Sequence, residues 1–396
     1  MRCCMKRSLS FIVVLASTTI AAAKDIYVAS YAGPVFRLAF TGNVDGSYSL
    51  KEVGSTLDCG YNPGWLELDQ ATGTLFCSNE AFTIPNSGSI ASFSKESFSM
   101  IDNATADYGP AQSTFYAPNR LGLAHYAGGA VSVFDTSDPT NLVELQSFHY
   151  FMDKPGPNLT LQDKPYLHGI VADPTGKFVV ALDRGADALR TYSVGWDDRL
   201  VELGAHFTEP GNGPRHGVFV KGTTKTFFYI LGELTNSLHG FEVMYEEDGT
   251  LGFKQFYNDS AYQTGFGDAS GVALPSEIAL AEGGKHLVLS TRDDGRSSYQ
   301  GESSDTIVSY TVDFDTGDLT LVGLTASGGL WPRTFAISRD GTLFAVADQY
   351  SVPGRLIVFE RDPETGIIDD QLPLAAWTTD ITLPDGQSIS HILWDE

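Results

Sequence analysis

Cysteine and positive charge are both scarce in this chain. Of its four cysteines, Cys3 and Cys4 lie in the opening segment, which leaves Cys59 and Cys77, too few for a thiolate metal site or a disulfide-dense scaffold. Lys and Arg number 25 against 49 Asp and Glu, a formal charge of −24. Such a surface repels phosphate backbones and anionic lipid, so neither nucleic acid nor a membrane is expected as a partner. Beyond residue 23 no long apolar run occurs, and none is therefore expected to span a bilayer. Helical apolar periodicity is almost missing as well. So are the GxSxG elbow, the Gly-rich phosphate loop and the HExxH pair, which removes the usual serine-hydrolase, nucleotide-binding and zinc-protease chemistries.

The N-terminus is of a different kind. "MRCCMKRS" is basic, "LSFIVVLASTTI" is apolar but short, and "AAAK" offers small residues for cleavage after Ala23. Residues 1–23 therefore read as a secretory signal peptide, with a mature, extracellular chain beginning at Lys24. Loss of Arg2, Lys6 and Arg7 and of no acid takes the formal charge from −24 to −27. Three sequons, at Asn103, Asn158 and Asn258, mark a secreted glycoprotein. Outside the cell Cys59 and Cys77 are competent to pair, while the strand-like run around Cys77 also suits a buried free thiol.

Short runs rich in Val, Ile, Phe and Tyr alternate with Gly, Asp, Asn and Pro clusters, the pattern of an all-β chain. "GWLELDQATGTLFCSNE" from Gly64, "LHGIVADPTGKFVVALDRGADALRTYSV" from Leu167, "PSEIALAEGGKHLVLSTRDDG" from Pro275 and "PRTFAISRDGTLFAVADQ" from Pro332 share one template. Each has an apolar strand, a turn closing on glycine and a second apolar strand. "RHGVFVKGTTKTFFYILGEL" from Arg215 fits with a longer turn, and "FYAPNRLGLAHYAGGAVSVFD" from Phe115 supplies a degenerate copy. A period near fifty residues with four antiparallel strands per unit predicts propeller blades. "DIYVASYAG" opens a seventh unit at its second strand, and "SISHILW" at the C-terminus supplies the missing first strand. The expectation is one seven-bladed β-propeller over residues 24–396, closed by its last strand. A closed ring has no free sheet edge that demands a partner, so a monomer is expected.

In an antiparallel hairpin the start of the first strand lies beside the end of the second, so both positions ring the channel on one face. The first set is Trp65, His168, Arg215, His216, Trp331, Arg333 and His391. The second is Tyr31, Glu80, Asp183, Arg184, Glu233, Arg292, Asp293, Asp348 and Gln349. Arginine forks match a carboxylate or a developing oxyanion, and a histidine with a carboxylate can exchange protons. That combination suits the opening or closing of a ring ester. Glu80, Asp183, Asp293, Asp348 and Asn79 offer oxygen ligands for calcium on the axis. They carry no metal-site spacing, and no metal or other cofactor is expected.

"YLHGIVADPTGKFVVALDRGADALRTYSV", "GPRHGVFV" with "GEL", and "WPRTFAISRDGTLFAVADQ" followed by "DPETG" resemble the seven-bladed propeller lactonase family. That family includes fungal 3-carboxy-cis,cis-muconate cyclases and bacterial 6-phosphogluconolactonases. The resemblance implies a metal-independent site with catalytic positions at His168, Arg215, Glu233 and Arg292, and with His216, Trp331 and Arg333 positioning the substrate. Secretion turns the expected substrate from phosphosugars and muconates to a small aldono-lactone of the glucono- or cellobiono-δ-lactone type, opened to its aldonic acid. In that scheme His168 or Glu233 activates water and the other protonates the leaving group. A muconate-type cycloisomerase and a non-catalytic secreted propeller are the alternatives.

Overall fold

The computed structural model of the chain describes residues 24–263 and 273–396. The segment read as a signal peptide, residues 1–23, lies outside the described residues. Among the described residues every regular element is a β-strand. Antiparallel sheets form seven blades, whose innermost strands are Pro63–Asp69, Pro110–Ala117, Leu167–Ala172, Pro214–Lys221, Leu274–Leu280, Pro332–Ile337 and Ile389–Trp394. Each of these strands touches the innermost strands of its two neighbours, and the circuit closes between Ile389–Trp394 and Pro63–Asp69. The C-terminal strand pairs with Lys24–Ser30, Val28 standing opposite Ile392 and Ala29 opposite His391. The first blade is thus built from both ends of the described chain.

The burial pattern follows from this geometry. The second strand of a blade is covered on both faces by neighbouring blades, so Thr226–Gly232, His286–Arg292 and Leu343–Asp348 are buried along their whole length, as a strand covered on both faces must be. Fourth strands such as Val143–His149 and Leu200–Phe207 are largely exposed at the rim. Apolar clusters fill the seams between blades. Leu182, Phe228 and Ile230 join the fourth and fifth, Leu231, Leu287 and Val308 the fifth and sixth, and Val28, Ala347 and Ile392 the seventh and first. Each fully buried Leu, Ile or Phe contributes about 1.5–3 kcal/mol, so the stability of the ring is distributed over its seams.

Three blades depart from the repeat, the sixth by an extra hairpin, Ser297–Tyr299 with Glu302–Ser304, between its second and third strands. The third begins at Pro110, and Phe115 falls near the end of its first strand. "PAQSTFYA" carries Gln112, Ser113 and Thr114, which hide it from an apolar search. In the seventh blade the fourth strand is split, Ile368–Asp369 and Ala375–Thr379 both pairing with Gly354–Arg361. Of the sequon asparagines, Asn103 is exposed on the outer strand of the second blade, and Asn158 and Asn258 are half-buried at the surface.

Cys59 and Cys77 are joined, with Cα atoms 6.0 Å apart, and both are fully buried at the seam between the first and second blades. The sequence left pairing and a free thiol open, and the structure has the disulfide.

Two outcomes follow. Ending the chain at Gln387 removes the closing strand, and the truncated protein is expected to lose cooperative thermal unfolding. A melting temperature within a few degrees of the full chain would contradict the closure. The Cys59→Ser/Cys77→Ser double variant, whose bridge spans 18 residues, is expected to lose about 3 kcal/mol in guanidinium denaturation.

Candidate active site

Every innermost strand slips its register near its beginning. The slips lie between Pro63 and Trp65, Pro110 and Gln112, Leu167 and Gly169, Pro214 and Gly217, Pro275 and Ile278, and Pro332 and Thr334. In the first blade Ala29 pairs with His391 while Ser30 pairs with Ile389, so Ser390 is skipped. Five of the seven slips open on proline, which has no N–H to give a ladder and is tolerated at a strand's first residue or a bulge. A bulge frees a residue from pairing and re-aims its side chain. The residues set free include His168, Arg215, Ser276 and Arg333, with Gly64 and Ala111 where space is needed. A Cβ on Gly64 would collide with the Glu80 carboxylate.

At or just past the end of its second strand each blade contributes one further residue: Tyr31, Glu80, Tyr126, Arg184, Glu233, Arg292 and Gln349. All seven line a cavity of about 310 Å³, together with His168, Trp331, Arg333, Phe82, Tyr350 and Gln387. Its size suits a small molecule.

Glu233 stands at the centre of the charges. Arg184 Nε donates to its Oε2, Arg292 Nη2 donates to its Oε1, and Arg215 Nε lies 3.8 Å from Oε1. Burial alone would raise this carboxyl, but Arg184, Arg292 and Arg215 outweigh it and hold Glu233 at about 2. Glu233 therefore stays ionised, bound to Arg184 and Arg292. Arg215 is pushed down to about 9 by burial and by Arg292 and Arg333.

Glu80 sits in the opposite condition. Tyr31 Oη donates to its Oε1 at 2.5 Å and Arg333 Nη2 at 3.3 Å, yet burial prevails and its pKa is raised. The loop beneath is stapled by the disulfide: Asn62 Nδ2 donates to the Tyr31 carbonyl at 2.8 Å, and Glu80 N donates to the Asn62 carbonyl at 3.0 Å. Burial, then Arg215 and His216, push His168 well below the ordinary histidine value of 6.5, so its ring is neutral. Trp331 has φ +61°, a left-handed backbone that costs a bulky residue about 1–3 kcal/mol. Its N–H donates to Asp305 Oδ2 at 2.7 Å, and its carbonyl accepts from Arg333 N and Gln349 N, each at 2.7 Å. This holds the indole against Tyr350, ring centroids 4.9 Å apart, with the Arg292 guanidinium 5.3 Å from its centre.

The structure therefore brings His168, Glu233, Arg292, Trp331 and Arg333 to one cavity. Arg215 and His216 lie one layer below its floor, 1 % and 2 % exposed, where the double slip after Pro214 sets Arg215 near Glu233 and His216 against His168. Trp65 and His391 stack in the same lower layer, ring centroids 3.8 Å apart. Asp183 accepts from the N–H groups of Tyr166, Gly185 and Ala186, Asp348 accepts from Ser327, and Asp293 is exposed. Asn79 Oδ1 accepts from Asn62 N. The oxygen donors considered for calcium thus do not converge, and among the described residues no three carboxylate, imidazole or thiol groups form a metal cage.

The sequence reading missed Tyr126, whose Oη accepts from Arg184 Nη1 at 2.8 Å, and Glu277, which meets His216 at 3.1 Å. Tyr126 occupies the same column as Arg184 in the degenerate third blade. Proline followed by two freed residues, "PRH" and "PSE", is the signal for Glu277.

The family described as the seven-bladed β-propeller lactonases matches residues 25–372. A probable 6-phosphogluconolactonase of Arthroderma benhamiae is 33% identical over 262 residues, 66% of this chain and 63% of the relative. The 6-phosphogluconolactonase of Bacillus subtilis is 31% identical over 245 residues, 61% of this chain and 63% of the relative. The chain thus spans less than two thirds of the length of these curated relatives. Among solved structures, a periplasmic gluconolactonase of Pseudomonas aeruginosa superposes with a TM-score of 0.75 at 23% identity, covering 94% of this chain and 99% of the other. A putative 6-phosphogluconolactonase of Bacteroides fragilis does so at 0.71 and 22%, covering 92% and 99%. At these identities the two structures speak for the fold alone. With the family match running through nearly all of the propeller, the chain belongs to the seven-bladed β-propeller lactonase family.

Proposed function

We propose that this protein is an extracellular lactonase that opens an aldono-lactone to its aldonic acid. The observation that carries the proposal is a neutral histidine in the same cavity as a buried arginine cluster, with a carboxyl of raised pKa. That set supplies a base, an oxyanion partner and a proton donor without a metal. His168 takes a proton from water as the water oxygen attacks the lactone carbonyl. Arg292, held in place by Glu233, faces the oxyanion. As the ring C–O bond breaks, Glu80 gives its proton to the leaving alkoxide and regains one from the new carboxylic acid, and His168 returns the proton it took from water to solvent, so each turnover releases the aldonate and one proton.

The walls support a neutral, polyhydroxylated body. Trp331, Tyr350 and Phe82 offer aromatic faces, and the Gln349 amide donates to Gln387 at 2.7 Å, leaving amide groups for hydroxyls. The extracellular reading rests on the basic-apolar N-terminus, the three sequons and the Cys59–Cys77 bridge, a bond that persists in oxidising compartments. The three guanidinium groups that line the cavity, Arg184, Arg292 and Arg333, also favour a second reading, a cycloisomerase gripping a polycarboxylate diene. Loss of diene absorbance on adding enzyme separates it from the first.

Three results are expected. In a pH-stat, wild-type protein accelerates acid release from glucono-δ-lactone, and His168→Ala reduces kcat/KM by roughly 100-fold or more; no rate above spontaneous hydrolysis in the wild type would sink the proposal. Arg292→Gln lowers kcat by about 100- to 1,000-fold. The pH profile of kcat/KM follows from the two shifts. A base lowered from 6.5 stays competent below that pH, and an acid raised from 4.5 stays protonated above that pH. The bell therefore has its acid limb below 6.5 and its alkaline limb above 4.5. A profile still rising through neutrality would remove His168 as the base.

A further inference from the structure

The base of the proposed reaction stands at the end of a hydrogen-bonded chain that runs out of the cavity and down into the ring. His168 Nδ1 lies 3.0 Å from His216 Nε2, and His216 Nδ1 lies 3.1 Å from Glu277 Oε1. The three residues come from the innermost strands of the fourth, fifth and sixth blades, each at the register slip. All three are buried, at 7 %, 2 % and 7 % exposure. Only His168 of the three lines the cavity.

From this geometry we propose that Glu277 and His216 are positioning residues that fix the tautomer and orientation of His168. A carboxylate only accepts hydrogen bonds. Glu277 Oε1 accepts from Ile278 N at 3.0 Å as well as facing His216 Nδ1, so the His216 proton sits on Nδ1. In a neutral imidazole the other nitrogen is then an acceptor, and His216 Nε2 must receive its proton from His168 Nδ1. His168 is left with its lone pair on Nε2, on the ring that lines the cavity. Arg215 and, farther off, Arg333 also act on His216, and Arg215 Nη1 is 3.5 Å from His216 Nδ1. That guanidinium nitrogen already donates to the Ser276 carbonyl, and the carboxylate is the nearer partner.

The same chain serves the charged state. When His168 takes a proton from water, its Nδ1–H remains bound to His216, and Glu277 supplies a fixed negative charge at the far end. A carboxylate that orients an imidazole and stabilises its cation serves hydrolytic triads in this way. Here a second imidazole is interposed, so the carboxylate stays below the floor, away from the oxyanion and the product carboxylate.

The inference rests on the lactonase reading for its kinetic consequence but not for its structural content, and the experiment separates the two. In the wild-type protein with nitrogen-15-labelled histidine, two-bond correlations to the ring protons are expected to report Nδ1–H tautomers for both His168 and His216, assigned by loss of each set in His168→Ala and His216→Asn. An Nε2–H tautomer at His168 overturns the proposal. With glucono-δ-lactone, Glu277→Gln is expected to lower kcat by roughly 100-fold or more with KM within threefold, and Glu277→Asp to recover part of it. A Glu277→Gln variant with wild-type kcat, or one whose loss lies in KM, overturns the positioning role. If the wild type shows the two Nδ1–H tautomers and turns over no lactone, the relay stands and the lactonase reading fails.

Discussion

At the channel end of each innermost strand the hydrogen-bond ladder gives way, and several of the groups released there reach sideways to the next blade. Arg215 Nη1 donates to the Ser276 carbonyl, Ser276 Oγ to the Arg333 carbonyl at 2.9 Å, and Ser390 Oγ to the Pro63 carbonyl at 2.5 Å. Gln112 Oε1 accepts from Ile170 N at 2.7 Å, and His391 Nδ1 from Leu66 N at 3.2 Å. Ladder bonds hold strands within a blade; these bonds hold blade to blade at the axis. The cavity depends on them, because its lining comes from all seven blades and a shift of one blade would displace its contribution relative to the others.

Those sideways bonds also make a dense group of buried charges tolerable. Arg184, Arg215, Arg292 and Arg333 lie close together, against the mutual repulsion of like charges and the cost of taking each from water. Glu233 offsets that cost directly for three of them, and the fourth, Arg333, donates to the Glu80 carboxyl. The acidic exterior is therefore no guide to the interior. The net charge of −24 describes a solvated shell around a cationic centre.

The blade repeat, its count and its closure by the last strand were legible in the sequence because second strands, covered on both faces, must be continuously apolar. Fourth strands were legible only from the turns that precede them, such as "DTGDL" and "DPETG", and the polar first strand of the third blade was not, since a half-solvated strand leaves little trace in composition. The face carrying the site was legible too, because turn chemistry occupies the opposite end of each hairpin and leaves His, Arg and Glu unexplained at this one. The layering was not. His168 and His216 look equivalent in sequence, and only the length of the slip decides that one meets the cavity and the other supports it. Nor does any pattern along the chain say that Glu233 is surrounded by three arginines from three different blades, which is a property of ring closure.

The slip has a further consequence for how such a protein can change. A side chain that belongs to a ladder is bound to its neighbours by register, and replacing it risks the strand. At each bulge pairing is already interrupted, and the positions that end each second strand keep only a main-chain hydrogen bond that any residue but proline can make, so neither ties the backbone to one side chain. The ring therefore behaves as a fixed socket with exchangeable pins, one set per blade, in which chemistry can be altered a residue at a time while the seams that hold the architecture go untouched.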